Sequence, residues 1–364
     1  MLISVTGAPM HALTKIVRAF GGLSEAARRY ETSLLFQLQR FRLLHDQWLF
    51  SLDDALFWGL TDPALPDKAL GNYMSREAAT RLRKRVNAVE DLANVNDKAR
   101  FYRMCSEAGL PIPETLGVLP SGTNSSHRVT DPQTRRIEVE SLPDGHFVAK
   151  PVWGMKGKGL RFFEKSGDQF LAAGVALEPE SLRVTLSDNS EDDDYVLQRR
   201  VFPHEALVRL SGSSAVQSAR IVTFVDSEDR PHALFARFKI IRQGNDVDNF
   251  VDGEIGNLIA DVELDTGRVI KVFEKRPGEV GLRSVTHHPD TGESLSITLP
   301  GWEKAVQLAF AGARVFKTMR SLAWDIALTP DGPVILEANQ EWEIFPIGPY
   351  RRPVPAAEWG ALIR

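Results

Sequence analysis

The chain of 364 residues carries 44 Lys and Arg against 48 Asp and Glu, and its formal net charge is −4. This small charge gives no electrostatic reason to bind nucleic acid or a membrane surface, and the single cysteine, Cys105, excludes an intrachain disulfide and a cysteine-rich zinc site. Because no apolar run approaches a membrane span and residues 1–10 lack the basic flank of a secretory signal, we expect a cytoplasmic protein, and the sequence does not indicate its oligomeric state.

Residues 11–90 are predicted to be mostly helical. Apolar and aromatic side chains repeat there at helical spacing, at Leu34, Leu38, Phe41, His45 and Trp48. Prolines at positions 63 and 66 interrupt the pattern, and residues 76–90 resume it with a cluster of basic residues at 81–85. We interpret this cluster as a solvated helix face, and a site for an anionic partner is the alternative.

The next predicted element is a helix that begins after Asn96, a favourable N-cap residue, and runs through Ala108. Gly109 is typical of a helix C-terminus. Lys98 lies in the first turn of this helix, and Cys105 is expected to be a buried small hydrophobic residue rather than a nucleophile.

A glycine-rich segment follows a short apolar strand that ends at Lys150. It contains Gly154, Lys156, Gly157 and Gly159, and its backbone N–H groups can approach a phosphate because glycine has no Cβ. The spacing matches neither the Walker loop nor the dinucleotide fingerprint. The segment therefore predicts either a phosphate-binding loop or a hairpin tip with solvated lysines.

The chain from residue 195 onward is predicted to be mostly β. Residues 195–201 read as a strand, and residues 219–225 and 233–241 alternate well enough to form a hairpin. Arg220, Arg237 and Lys239 lie inside these strands. Cations buried in a sheet are costly unless an anion pairs with them, so we interpret the three as candidate triphosphate or acyl-phosphate ligands, with exposure to solvent as the alternative.

The C-terminal part is predicted to contain an amphipathic helix at 301–320 and a hairpin at 322–339, where Thr-Pro-Asp-Gly at 329–332 gives the turn. Alternation places Asp325 near the far end of one strand and Glu337 and Asn339 on one face of the other. Two carboxylates and an amide oxygen predict a Mg²⁺ site, with Mn²⁺ as a second candidate ion. A surface hairpin with scattered acids is the alternative.

These features in this order resemble the ATP-grasp superfamily, and most closely its sugar-transfer-associated branch, which is α-L-glutamate ligase-like. The resemblance covers about residues 94–346 and is also carried by the segments 220–223, 235–240, 247–250 and 265–267. It implies an α+β fold in which two lobes hold ATP between antiparallel sheets. We divide the chain into a helical N-terminal region (1–93), a lobe with the glycine-rich loop (94–200) and a C-terminal lobe with the metal site (201–364).

The resemblance also implies roles for individual residues. Gln198 would face the exocyclic amine of adenine, with main-chain contacts from Arg200 and Val201, and Glu205 would accept hydrogen bonds from the ribose. His204 competes for that position. The full set of implied nucleotide contacts is Lys98, Lys150, Gly154, Lys156, Gly157, Gly159, Gln198, Arg199, Arg200, Val201, Glu205 and Leu336.

The remaining roles concern the reaction. Arg220, Lys239 and Asn249 are the implied catalytic residues. For Lys98, the alternative to a contact with the nucleotide phosphates is an ordinary solvated position on its helix. The resemblance implies a ligase that uses ATP and Mg²⁺ to join a small-molecule or peptide-like carboxylate to an amine through an acyl phosphate. A phosphotransferase and a non-catalytic nucleotide-binding module are the two alternatives.

Overall fold

The computed structural model describes residues 8–120, 133, 135–153, 159–172, 174–179, 181, 182 and 194–363. The helices of these residues are α1 (Ala8–Arg29), α2 (Leu34–Trp48), α3 (Leu52–Phe57), α4 (Asp67–Leu70), α5 (Arg76–Val86), α6 (Ala93–Asn96), α7 (Lys98–Glu107), α8 (Glu205–Ser211), α9 (Trp302–Val315) and α10 (Ala356–Ile363). None of the helices in these ranges has both the length and the apolar character needed to cross a membrane.

The strands are β1 (Thr115–Leu119), β2 (Gly145–Pro151), β3 (Arg161–Ser166), β4 (Gln169–Ala172), β5 (Val175–Leu177), β6 (Tyr195–Arg199), β7 (Ser218–Val225), β8 (Pro231–Ile240), β9 (Leu258–Val262), β10 (Val269–Glu274), β11 (Arg283–Val285), β12 (Ser321–Thr329) and β13 (Gly332–Asn339). They form a six-stranded sheet in the order β1-β6-β2-β3-β4-β5 and a seven-stranded sheet in the order β11-β10-β9-β8-β7-β12-β13. Neighbouring strands are antiparallel throughout, which confirms the predicted α+β class and its two antiparallel sheets.

Serine caps begin three helices of the N-terminal region, which is mostly helical as predicted. The hydroxyls of Ser33, Ser51 and Ser75 each accept a hydrogen bond from the backbone N–H three residues later. Each cap satisfies a donor that the helix itself leaves unpaired.

Helix α2 buries only part of the face that its apolar spacing predicts, since Phe41 and Trp48 pack against the core but Leu38 does not. Gln37, Arg40 and Leu44 are buried, whereas Leu38 is 44% exposed. The reason is the turn that follows α3, because Arg40 donates to the carbonyls of Leu60 and Leu65 in that turn and pairs with Asp67. A buried arginine is stable here because backbone oxygens and a carboxylate surround it.

Helix α7 begins one residue later than predicted. The Asp97 carboxylate, not the Asn96 side chain, accepts the capping hydrogen bond from Arg100 N at 3.1 Å, and Asn96 closes the short helix α6 instead. Cys105 is fully buried as expected, and burial raises the pKa of its thiol to about 12. A thiol of this kind has no reactive thiolate at neutral pH.

The seven-stranded sheet is covered on both faces. Helix α9 packs on one face, where Ile221, Ala236 and Trp324 belong to its core. Helix α5 and the C-terminal helix α10 cover part of the other face, where Phe224 and Phe235 are buried. The helical N-terminal region therefore shares a core with this sheet, and the domain boundaries at 93 and 200 stay a prediction.

Gly312 lets α9 approach the sheet closely, since a Cβ at this position would lie 2.7 Å from the ring of Trp324. Gly312→Ala should lower the free energy of unfolding by up to about 2 kcal/mol, because an overpacking cost of roughly 1–3 kcal/mol outweighs the gain of roughly 1 kcal/mol in helix propensity. Denaturant unfolding followed by circular dichroism measures this. The matched control is Gly21→Ala in α1, where a Cβ meets nothing within 4 Å and should not destabilise the protein. Stabilisation of both variants would refute the argument.

Candidate active site

A cleft lies between the two sheets. Residues of α7, β2, β3 and β6 line it from one side, and residues of β7, β8, β12 and β13 line it from the other. The predicted site residues that line it are Lys98, Lys150, Arg199, Arg200, Val201, Lys239, Asn249, Asp325, Leu336 and Glu337. The fold thus brings together side chains that are far apart in the sequence.

A row of five charged residues crosses the seven-stranded sheet. Directly paired positions on β9, β8, β7, β12 and β13 hold, in that order, Asp261, Arg237, Arg220, Asp325 and Glu337. Directly opposite residues in a sheet share one face. The adjacent positions along these strands, such as Ile221 and Ala236, belong to the core under α9, so the row occupies the opposite face.

Asp325 pairs with two cations at the middle of this row. Its carboxylate oxygens accept hydrogen bonds of 2.8 Å from Arg220 Nε and Nη2, and Lys239 Nζ donates to Oδ2 at 3.0 Å. Burial would raise the pKa of Asp325, but Arg220 and Lys239 lower it well below its ordinary value. Burial likewise opposes the charge on Arg220, yet Asp325 raises the pKa of that guanidinium. All three groups are therefore charged at neutral pH.

Arg237 does not lie against the cleft, although it shares the row. It is 1% exposed and pairs with Asp261, and it donates to the carbonyls of Phe345 and Gly348 at 3.0 Å each. These bonds hold the segment 345–348 over the sheet. The hypothesis that Arg237 contacts a triphosphate is therefore not supported, because its donors are already used inside the protein.

A β-bulge sits beside the predicted metal ligands. Asp325 pairs with Glu337 and Ile326 pairs with Ile335, so Leu336 is the extra residue in β13. Bulges of this kind re-aim side chains and are frequent next to active sites. Asn339, two residues after Glu337 on the same face, donates from Nδ2 to Glu337 Oε1 at 3.1 Å.

The oxygen donors of Glu337 and Asn339 fit a Mg²⁺ ion. Within the described residues, no group of three or more His, Cys, Asp or Glu is arranged to hold a metal ion. Mg²⁺ is commonly held by only one or two carboxylates together with substrate phosphates, so these two side chains suit it. Both oxygens of Asp325 are engaged by Arg220 and Lys239, and a metal contact would require Asp325 to exchange those bonds. The three-ligand site stays a prediction.

The opposite wall of the cleft presents two lysines. Lys150 Nζ donates to the hydroxyl of Tyr102 at 3.0 Å and lies 3.5 Å from the Leu336 carbonyl oxygen. Burial lowers the pKa of Lys150 to about 8, an effect that Glu337 opposes and Lys98 adds to. Sequence reasoning missed Tyr102. Its only signal is its place four residues after Lys98, which puts both residues on one face of α7.

Comparison with protein-family models matches residues 77–348 of the chain to the family described as sugar-transfer-associated ATP-grasp. The match spans both sheets and every predicted site residue. The chain belongs to this family. Comparison with curated protein sequences finds no match.

Several solved structures are similar to this ATP-grasp chain. N5-carboxyaminoimidazole synthetase from Staphylococcus aureus, complexed with ADP, is 7% identical over 71% of this chain and 48% of its own, with a TM-score of 0.39. D-alanyl-alanine synthetase A from Vibrio cholerae is 12% identical over 70% and 58%, with a TM-score of 0.36. Biotin carboxylase from Campylobacter jejuni is 9% identical over 71% and 43%, with a TM-score of 0.38. The chain therefore spans less than two thirds of each of these proteins.

The glycine-rich loop of this ATP-grasp chain is described only at its end. Gly154, Lys156 and Gly157 lie outside the described residues, so their phosphate contacts stay a prediction. Gly159 has a φ of +76°, which side chains with a Cβ rarely adopt, and it leads into β3. Leu160 and Phe162, which follow it, add an apolar wall to the cleft.

The predicted adenine-binding strand end lies beside this wall. Gln198 is fully buried and donates from Nε2 to Thr115 Oγ1 at 2.8 Å, while its buried Oε1 has no hydrogen-bond partner in the structure. A buried acceptor without a donor is costly. Gln198 does not line the cleft described above, so its contact with the exocyclic amine of adenine stays a prediction. The guanidinium of Arg200 lies 5.0 Å from the ring centroid of Phe162.

Glu205 and His204 lie at the start of α8. The His204 side chain caps this helix by accepting from Ala206 N at 3.2 Å. Glu205 is exposed, lies 3.8 Å from Arg209 and does not line the cleft described above. Its contact with a ribose stays a prediction.

Hydrogen bonds from a second asparagine, Asn257, hold the loop that carries Asn249, and sequence reasoning missed this residue. Asn257 is fully buried and donates to the carbonyls of Val247 and Asn249 at 2.8 and 2.9 Å, while its own oxygen accepts from Arg242 N. Asp248 accepts from the backbone and hydroxyl of Ser218. These bonds place Asn249 on the cleft wall, and no local pattern in the sequence predicts them.

Proposed function

We propose that the chain is an ATP-dependent carboxylate–amine ligase that forms an amide through an acyl phosphate and releases ADP and phosphate. The observation that carries the proposal is the charge arrangement of the cleft. Lys98 and Lys150 line one wall, and Lys239 lies opposite, beside the carboxylates of Asp325 and Glu337. This arrangement is suited to a polyphosphate and its cation in a site bounded by two sheets.

The residues of the chain would act by positioning and by charge. Lys98 and Lys150 would hold the phosphates, and Arg220 and Lys239, fixed by Asp325, would stabilise the transferring phosphoryl group. A substrate carboxylate oxygen would bond to the γ-phosphorus as the bond to ADP breaks. The amine nitrogen would then bond to the acyl carbon as phosphate leaves, and the nitrogen would lose a proton. No side-chain nucleophile is needed in this sequence.

Glu337 and Asn339 would hold the magnesium ion of Mg·ATP, next to the Asp325 carboxylate. When bound, this ion neutralises charge on the β- and γ-phosphates.

The experiment that tests the function measures ADP and phosphate release with Mg·ATP against a panel of carboxylates and amines, with mass spectrometry of the products. Phosphate release that needs both co-substrates, with a product lighter than their sum by one water, is the expected result. A stable phosphorylated product formed without an amine would instead identify a phosphotransferase. Tight ATP binding without turnover across the whole panel would favour a nucleotide-binding module.

Binding of Mg·ATP at pH 8.5 should take up a proton. The pKa of Lys150 is lowered to about 8, so most of this lysine is neutral at pH 8.5 in the free protein. The anionic triphosphate favours the ammonium form and raises that pKa, so the proton enters on binding. Calorimetry in buffers of different ionisation enthalpy measures the uptake. It should vanish at pH 6.5, where Lys150 is already charged, and in Lys150→Met. Equal binding enthalpies in all buffers at pH 8.5 would contradict the assignment.

A further inference from the structure

Tyr102 lies where three elements meet at the base of the cleft. It is fully buried in α7, between Lys150 on β2 and the bulged strand β13. Its hydroxyl donates to the Leu336 carbonyl oxygen at 2.5 Å and accepts from Lys150 Nζ at 3.0 Å. One side chain thus connects a strand of each sheet to the helix that carries Lys98.

The hydrogen-bond directions are fixed by the chemistry of the three groups. A carbonyl can only accept and an ammonium can only donate. The single hydroxyl proton of Tyr102 therefore points to Leu336, and its lone pairs face Lys150. Leu336 is the extra residue of the bulge, so the hydroxyl is bonded to the backbone at the point where the strand leaves its regular register.

The charges around Lys150 show why a fixed acceptor matters. Lys98 on α7 faces it with a like charge, and Glu337 on β13 faces it with an opposite charge. The ring of Tyr102 adds a cation–π contact, with Lys150 Nζ 5.4 Å from the ring centroid. Burial raises the pKa of Tyr102 well above its ordinary value, so the hydroxyl stays neutral and keeps its proton.

We propose that Tyr102 is a positioning residue for the nucleotide. Its hydroxyl holds the Lys150 ammonium in place against the repulsion of Lys98 and ties that lysine to the strand that carries Glu337. The expected effect of Tyr102 on ATP binding rests on the proposed function. The effect of Tyr102 on Lys150 does not, because it can be measured in the protein without nucleotide.

The test uses Tyr102→Phe, which removes only the hydroxyl and keeps the ring that contacts Lys150. The matched control is Tyr350→Phe, which removes a hydroxyl that accepts from Trp359 Nε1 at 3.1 Å outside the cleft. In the free protein, the rate at which an amine-acetylating reagent modifies Lys150 is followed against pH by peptide mass spectrometry. Loss of the acceptor disfavours the ammonium, so the midpoint should move down by about one pH unit in Tyr102→Phe alone.

The second readout is nucleotide affinity. Calorimetry at pH 7.5 should show Mg·ATP binding roughly tenfold weaker in Tyr102→Phe, as expected for a lost hydrogen bond to a charged group, and unchanged in Tyr350→Phe. A shifted acetylation midpoint in a protein that binds no Mg·ATP would support the positioning of Lys150 and overturn the proposed function. A midpoint equal to that of the wild type would overturn the role of Tyr102, whatever the affinity. A loss of affinity equal in both variants would overturn it as well.

Discussion

Replacing Glu337 with glutamine should lower ATP turnover by roughly 10²–10³-fold, the size of effect seen when one preorganised electrostatic contact is lost. Glutamine keeps the length of the side chain and the oxygen that accepts from Asn339 Nδ2 at 3.1 Å, so only the negative charge is removed. That charge is predicted to hold the cation of Mg·ATP. It also opposes the effects that lower the pKa of Lys150. The variant should therefore bind the cation more weakly and also lose the charge that keeps Lys150 protonated.

The measurement is ADP release under saturating Mg·ATP with the co-substrates that the panel identifies. The Mg²⁺ dependence of nucleotide affinity gives a second readout that does not need turnover, and this dependence should weaken in Glu337→Gln. Glu341→Gln is the matched control, because it makes the same change at an exposed position four residues further on. Wild-type turnover in Glu337→Gln, with an unchanged thermal melting profile, would remove Glu337 from the site.

Much of this site could be predicted from the sequence because its strands follow local rules. Alternation and a Thr-Pro-Asp-Gly turn predict the hairpin of β12 and β13. Regular pairing from that turn would place Asp325 opposite Leu336, and only the β-bulge at Leu336, which the pattern does not predict, brings Glu337 opposite Asp325. Alternation likewise predicts the β7–β8 hairpin and its buried cations. The sequence pattern does not predict which carboxylate pairs with each buried cation. Arg220 faces Asp325 and Arg237 faces Asp261 only because the strand order places β12 and β9 on opposite sides of the hairpin.

The residues that sequence reasoning missed depend on contacts between distant segments. Tyr102 looks like an ordinary helix residue until β2 and β13 bring Lys150 and Leu336 to its hydroxyl. Asn257 follows a glycine in a polar loop, and its four hydrogen bonds exist only in the folded loop. The capping error at α7 has a different cause. Asn96 and Asp97 are both favourable caps, and the short helix α6 uses the first of them as its last residue.

Replacing Asp325 with alanine should lower the free energy of unfolding by about 3–5 kcal/mol, because it removes the carboxylate that pairs with the buried guanidinium of Arg220. Lys239 keeps a second carboxylate partner, Asp248, at 3.4 Å. Arg220 and Lys239 both donate to this carboxylate and are both buried. Without it they repel each other in a medium that screens poorly. Arg220 is the more affected of the two, since it does not line the cleft, whereas Lys239 does. Denaturant unfolding of the free protein measures the loss.

Two comparisons isolate the effect of the buried pair. Asp226→Ala removes another buried carboxylate, but its side-chain partners Arg230 and His232 are 62% and 33% exposed and can return to water, so the loss should be clearly smaller. The double variant Asp325→Ala/Arg220→Met removes both charges and should recover part of the stability lost in Asp325→Ala. Additive losses in the double variant would show that the pair is not coupled.

The stability difference between wild type and Asp325→Ala should also depend on pH in a defined direction. The pKa of Asp325 is depressed in the folded protein, so its stabilising contribution is fully present above the unfolded value of about 4. As the pH falls below that value, Asp325 becomes protonated in the unfolded chain but stays ionised in the folded protein. The stabilising contribution of Asp325 is therefore lost as the pH falls. The two unfolding curves should therefore converge in acid and stay apart at neutral pH. A difference that is constant from neutral pH to pH 2 would mean that packing, rather than the charge of Asp325, stabilises this part of the sheet.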